Sequence, residues 1–150
     1  MSEADPQSEV MTGLFIGPRP EPGQQDGIDV LVLAAQEYQP ASSSFPGIEV
    51  IYAPLDDAPS RPMRADEIAI AVKAAGRVAR RLRENRRVLV TCAMGLNRSS
   101  LIAAIAMNDV WRMGPEEIIE RVRSARGPWA LSNPNFERLL RVVIEVKRKA

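Results

Sequence analysis

Cys92 and Arg98 stand six positions apart: the chain's only cysteine, and an arginine just before its longest apolar run, Leu101 to Met107. Val88-Leu89-Val90-Thr91, directly before the cysteine, is continuous, apolar and too short for a helix, so it reads as a central strand buried on both faces. The stretch Leu101 to Trp111, apolar nearly all round, reads as a helix in the core. Ala93-Met94-Gly95-Leu96-Asn97 is then a loop that leaves the C-terminal end of a strand and enters a helix. Ligands of open α/β sheets bind at such strand ends. A loop of this kind turns backbone N–H groups inward, and the helix N-terminus adds about half a positive charge, so the place suits a dianionic phosphate. Thiols at helix N-termini or beside arginine ionise readily, and the thiolate is the nucleophilic form. Cys92 is thus placed as a nucleophile and Arg98 as a planar fork for two phosphate oxygens.

Composition narrows the chemistry further. The 150 residues include no histidine. With one cysteine, that excludes a zinc site of known ligand spacing, a Ser-His-Asp triad and a Cys-His dyad. What remains is carboxylates, arginines, backbone amides and a single thiol, with no metal or cofactor called for. The hydrophobic share of 45% and charged share of 26% are ordinary for a globular protein, and the length suits a single domain over residues 1–150. No apolar run approaches the roughly 20 residues of a membrane span. The acidic start MSEADPQSEV lacks the charged and apolar regions of a secretory signal. A cytoplasmic location and no membrane partner are expected, with residues 1–9 as a flexible N-terminus.

The elements that must hold the loop follow in order. Leu14-Phe15-Ile16, Ile28 to Leu33 and Ile48 to Tyr52 read as strands separated by segments rich in Gly and Pro. After the proline-punctuated APLDDAPSRPMR, Ala65 to about Asn85 has helical periodicity through Ile68, Val72, Ala75, Val78, Ala79 and Leu82. Gly114-Pro115 ends one helix and begins another that runs to Arg126, and Ser132-Asn133-Pro134 opens a last one. The expected fold class is α/β, a three-layer-type sandwich with a central, mostly parallel sheet flanked by helices. Residues 1–60 carry ten Asp/Glu against one Arg, and residues 61–150 nine against nineteen Lys/Arg. The arginines at 77, 80, 81, 83, 86 and 87 read as the solvated face of one helix, with a surface for an anionic partner as the alternative. Trp111 and Trp129 read as packing residues, Met107 and Met113 as gap fillers on helical faces, and Arg126 as an anchor for the loop that follows it.

Cys92-Ala93-Met94-Gly95-Leu96-Asn97-Arg98-Ser99 resembles the Cys-x5-Arg-[Ser/Thr] signature of the cysteine-dependent protein tyrosine phosphatases. Gly95 and Arg98-Ser99 resemble the small dual-specificity branch. With seventeen Arg and twelve Ser/Thr in the chain, chance would set such a pair at this distance from the only cysteine about once in a hundred chains. The resemblance covers most of the chain. Leu14-Phe15-Ile16-Gly17 and Gly27 to Leu33 look like the family's first two strands, and Pro54-Leu55-Asp56-Asp57 like its general-acid loop. Val122 to Arg126 and Ser132 to Phe136 look like the approach to its final helix.

The resemblance implies a phosphatase-like fold and a two-step mechanism. The Cys92 thiolate attacks phosphorus, the amides of Ala93, Met94, Gly95, Leu96 and Asn97 bind the phosphate with Arg98, and an aspartic acid protonates the leaving oxygen. That aspartate then activates water to hydrolyse the phosphocysteine, while Ser99 eases departure of the Cys92 sulfur. The family spaces its acid three residues after a proline such as Pro54, which selects Asp57; Asp56 is the alternative, and an Asx turn is a third role for either. Thr91 stands where the family commonly has His, so its hydroxyl is the candidate to orient the loop instead. The loop has no basic side chain, whereas relatives acting on inositol phospholipids carry lysines there. The expected substrate is therefore a phosphorylated protein, through phosphotyrosine and also phosphoserine or phosphothreonine, with no nucleic acid partner. The alternatives are a phosphate- or phosphopeptide-binding module without turnover, and a phosphatase of a small-molecule, RNA or lipid phosphoester.

Overall fold

A computed structural model describes residues 7–23 and 25–150. Five strands form one sheet: β1 (Ser8–Met11), β2 (Leu14–Gly17), β3 (Val30–Ala35), β4 (Glu49–Leu55) and β5 (Val88–Thr91). Their order is β1-β2-β5-β3-β4, and β5 runs parallel to both neighbours, Val88 to Thr91 facing Leu14 to Gly17 on one side and Val30 to Leu33 on the other. Among the described residues only the β1–β2 pair is antiparallel. β2, β3 and β5 are buried along their whole length, which is why they are continuous apolar runs rather than alternating ones.

Four helices follow: α1 (Ala65–Arg83), α2 (Arg98–Trp111), α3 (Pro115–Arg126) and α4 (Pro134–Lys149). α1 and α2 pack on the sheet face formed by Leu14, Ile16, Val30, Val32, Val88 and Val90, α3 lies against β1, and α4 packs on α2 and α3. The other face, with Phe15, Leu31, Leu33 and Leu89, is covered by Ile28 and by Phe45 after a one-turn 3-10 helix (Ser42–Ser44), so the third layer there is thin. α2 is buried from Arg98 to Met107, consistent with its lack of a polar face. Among the described residues no helix is long and apolar enough to cross a membrane.

Boundaries and some roles differ from the sequence reading. Ser8 and Glu9, expected in a flexible N-terminus, pair with β2 as an edge strand, while residues 1–6 lie outside the described residues. A half-polar tetrapeptide at a sheet edge carries too little periodicity to announce itself. α2 closes on Arg112 in the left-handed region (φ 59°) rather than on Gly114, which is the N-cap of α3. Met113 is buried but lies between those helices. Trp111 packs against the core as expected. Trp129 does not: it is 72% exposed, because Ala130 and Leu131 take the buried positions of that loop, Leu131 at a φ of 57°.

Candidate active site

β5 delivers Cys92 to the C-terminal edge of the sheet, and the chain turns through residues 93–97 into the first turn of α2. Four successive carbonyls of that loop are tied outward. Ala93 O accepts from Arg19 N–H (3.3 Å), Met94 O and Gly95 O from the Arg126 guanidinium (3.2 and 3.0 Å), and Leu96 O from Leu131 N–H (2.9 Å). With the carbonyls pulled toward the scaffold, the N–H side of these peptides is left to the inside of the loop. Gly95 makes the turn possible. Its φ is +69°, and a Cβ there would lie 2.6 Å from the backbone carbon of Gly17 and from Arg126 Nη2. Arg126 therefore anchors the loop of Cys92 itself, and its Nη1 also donates to Ser8 Oγ (3.1 Å).

Cys92 Sγ lies 3.2 Å from Ser99 Oγ, both buried. Arg98, 6% exposed, donates through Nη1 and Nη2 to the two carboxylate oxygens of Glu37 (2.7 and 2.8 Å) and through Nη1 to Leu55 O (3.0 Å). Its buried Nε has no hydrogen-bond partner among the described residues. The Arg98 hydrogen bonds draw the Glu37 carboxyl down to about 2. Burial works against the Arg98 charge, yet those bonds and the nearby charges of Cys92 and Asp57 outweigh it and hold the guanidinium above its ordinary value. Glu37 escaped the sequence reading. Its signal was positional: it follows β3, next to the central strand, at the sheet edge where ligands bind.

The two aspartates part company. Asp56 pairs with Arg61 (3.1 Å), which also clasps Glu67 in the first turn of α1. Asp57 faces the loop, accepting from Asn97 Nδ2 on Oδ2 (3.2 Å) and from Asn133 Nδ2 on Oδ1 (2.7 Å). Asn135 Nδ2 holds the same segment by donating to the carbonyls of Ala58, Pro59 and Arg61. The structure thus brings Cys92, Arg98, Ser99 and Asp57 to one edge of the sheet with Glu37. Thr91 does not join them. Its hydroxyl donates to Val32 O on β3 (2.7 Å), tying the two strands together instead of orienting the loop. The expected helical face ends at Arg83, the end of α1, with Arg86 and Arg87 beyond it, and these arginines are largely occupied: Arg77 and Arg81 with Glu49, Arg83 with Asp109, and Arg87 with Gly27 O and the Phe15 ring.

No family model and no curated protein matches the sequence. Solved structures do match its shape. Human DUSP28 is 22% identical with a TM-score of 0.82, each chain covering 97% of the other. A mouse putative dual specificity phosphatase, solved with zinc tungstate, is 23% identical over 99% of this chain and 94% of its own, also at 0.82. PTPMT1 in complex with PI(5)P is 18% identical over 97% of this chain and all of its own, at 0.77. The chain has the small dual-specificity phosphatase fold.

Proposed function

We propose that this chain is a cysteine-dependent phosphatase that hydrolyses phosphotyrosine, and also phosphoserine or phosphothreonine, in proteins through a phosphocysteine intermediate. The observation that carries the reading is the pairing of Cys92 with Arg98 across one loop: a thiol 3.2 Å from a serine hydroxyl and a buried guanidinium whose Nε is unspent. Tetrahedral oxyanions bind such loops, and one structural neighbour was solved with tungstate. The inward peptide N–H groups of residues 94–97 and the Arg98 Nε stabilise the three equatorial oxygens as charge spreads over them. Glu37 fixes the plane of the guanidinium beforehand, so no reorganisation is needed when phosphorus is attacked. Cys92 Sγ forms the bond to phosphorus, Asp57 gives its proton to the leaving oxygen, and Ser99 Oγ donates to the sulfur when it departs in the second step.

PTPMT1 with its phosphoinositide is the observation behind a second reading, a lipid phosphoester substrate. Against it stands the loop's lack of basic side chains. The test is phosphate release from p-nitrophenyl phosphate by the wild type and Cys92→Ser across pH 5–8, then from phosphotyrosine and phosphoserine peptides and from PI(5)P. Turnover lost with the thiol and highest on phosphotyrosine peptide supports the proposal. Highest turnover on PI(5)P moves the substrate to lipid, and vanadate binding by a wild type that releases no phosphate makes the loop a receptor.

A further inference from the structure

We infer that Asn133 is a positioning residue that fixes Oδ1 of Asp57, leaving Oδ2 as the atom that carries the transferred proton; this rests on the reading of Asp57 as general acid. Both oxygens of Asp57 accept from amide groups, Oδ1 from Asn133 at 2.7 Å and Oδ2 from Asn97 at 3.2 Å. An amide N–H2 donates and does not accept, and a protonated carboxyl oxygen is a poorer acceptor than an anionic one, so the proton favours the oxygen whose amide donor can more easily move off. Asn133 has nowhere to turn. It is 3% exposed, its side-chain oxygen caps α4 by accepting from Asn135 N–H (3.0 Å), and its own N–H donates to Asn97 Oδ1 (2.9 Å). Rotating its amide would uncap the helix. Asn97 Nδ2 has a second acceptor, Ser132 Oγ at 3.5 Å, and its bond to Asp57 is the longer one.

The protonated acid therefore keeps the Asn133 bond at full strength and weakens the Asn97 bond. In the first step the Oδ2–H bond breaks, its proton joins the leaving oxygen, and that oxygen keeps the electron pair of the broken P–O bond. Oδ2, now anionic, strengthens its bond from the Asn97 N–H. In the second step a water proton passes to Oδ2 while the water oxygen bonds phosphorus and the P–S pair returns to Cys92.

The test uses two substrates that need the acid to different degrees: phenyl phosphate, with a poor leaving group, and p-nitrophenyl phosphate, with a good one. Asn133→Ser keeps a capping oxygen for α4 and removes the amide donor. We expect kcat on phenyl phosphate to fall about tenfold further than on p-nitrophenyl phosphate, KM to stay within about twofold, and no added effect in an Asp57→Asn background. Equal losses on the two substrates, or a selective loss that persists in that background, overturn the inference. Asn97→Ala, which leaves the α4 cap intact, is expected to disturb the substrate ratio less than Asn133→Ser; the reverse order assigns the proton to the other oxygen and also overturns it. If Asp57→Asn leaves the ratio unchanged, the reading of Asp57 as the acid fails and the inference with it.

Discussion

Arg81 on the outer face of α1 and Arg98 at the start of α2 each make a two-pronged ion pair with a glutamate. They use different edges of the guanidinium. Arg81 approaches Glu49 side-on, with Nε at 2.8 Å and Nη2 at 3.1 Å, and spends Nη1 on Glu84. Arg98 approaches Glu37 end-on with both Nη groups, adds Leu55 O, and leaves the buried Nε over. Donors used up on one helix face join elements, whereas a donor held rigid, buried and unspent beside a thiol is available to a ligand. The lesson is that an arginine-rich face and a single arginine in a loop are told apart by the donor that remains, not by charge.

That contrast can be broken most directly with Arg98→Lys, which keeps the charge and loses the fork. A fall of roughly 10²–10³ in kcat/KM on p-nitrophenyl phosphate is expected; retention within threefold would remove the distinction. Next come the two glycines that serve these regions. Gly95→Ala puts a Cβ 2.6 Å from Gly17 backbone at a φ of +69°, so a cost of about 1–3 kcal/mol and a Tm lower by roughly 3–10 °C should appear in thermal melts. Gly76→Ala, within α1 where a Cβ meets nothing, should instead stabilise by about 0.5–1 kcal/mol. Equal signs for the two would mean the loop is not under the constraint described.

Glu37→Gln keeps the shape and one acceptor but removes the charge and sets an amide N–H2 against an Arg98 donor, and a loss of about tenfold in kcat is expected, within the usual range for a misplaced catalytic group. Its pH signature has a definite sign. The Glu37 carboxyl sits at about 2 in the fold against an ordinary 4.5, so its stabilisation is fully present above about pH 4.5 and is lost as pH falls toward 2. The Tm difference between wild type and Glu37→Gln should hold steady from pH 7 to 5 and close below that, a profile readable by circular dichroism. The smallest effect belongs to Arg81→Lys: a barely detectable change of Tm, and turnover unchanged within twofold in low and high salt. A steep salt dependence of wild-type turnover would restore the α1 face as an anion-attracting surface.

Much of the framework was readable beforehand because short-range physics wrote it. Val88 to Thr91 could only be a central strand, Leu101 to Trp111 only a buried helix, and the cysteine between them had to lie at a sheet edge. Ser132-Asn133-Pro134 announced the start of α4, and its cap is the bond from Asn135 N–H to the Asn133 side chain. Ser8–Met11 did not announce β1, since an edge strand of mixed polarity looks like any tail. Trp129 misled because aromatic character argues for burial, whereas neighbouring Ala130 and Leu131 had already filled the space beneath that loop.

From sequence alone came Cys92 as the proposed nucleophile, Arg98 as its partner, the loop between them and the choice of Asp57 as the aspartate to test. Only the tertiary structure showed that Arg98 meets Glu37 across 61 residues, that Asn97 reaches Asp57 across 40 and Asn133 across 76, and that Asp56 turns away to Arg61. Periodicity and spacing report on residues within a few turns of one another, because those neighbours share one helix or strand. Which acceptor a distant donor finds depends on how separate loops are brought to the same sheet edge, and no local pattern encodes that meeting.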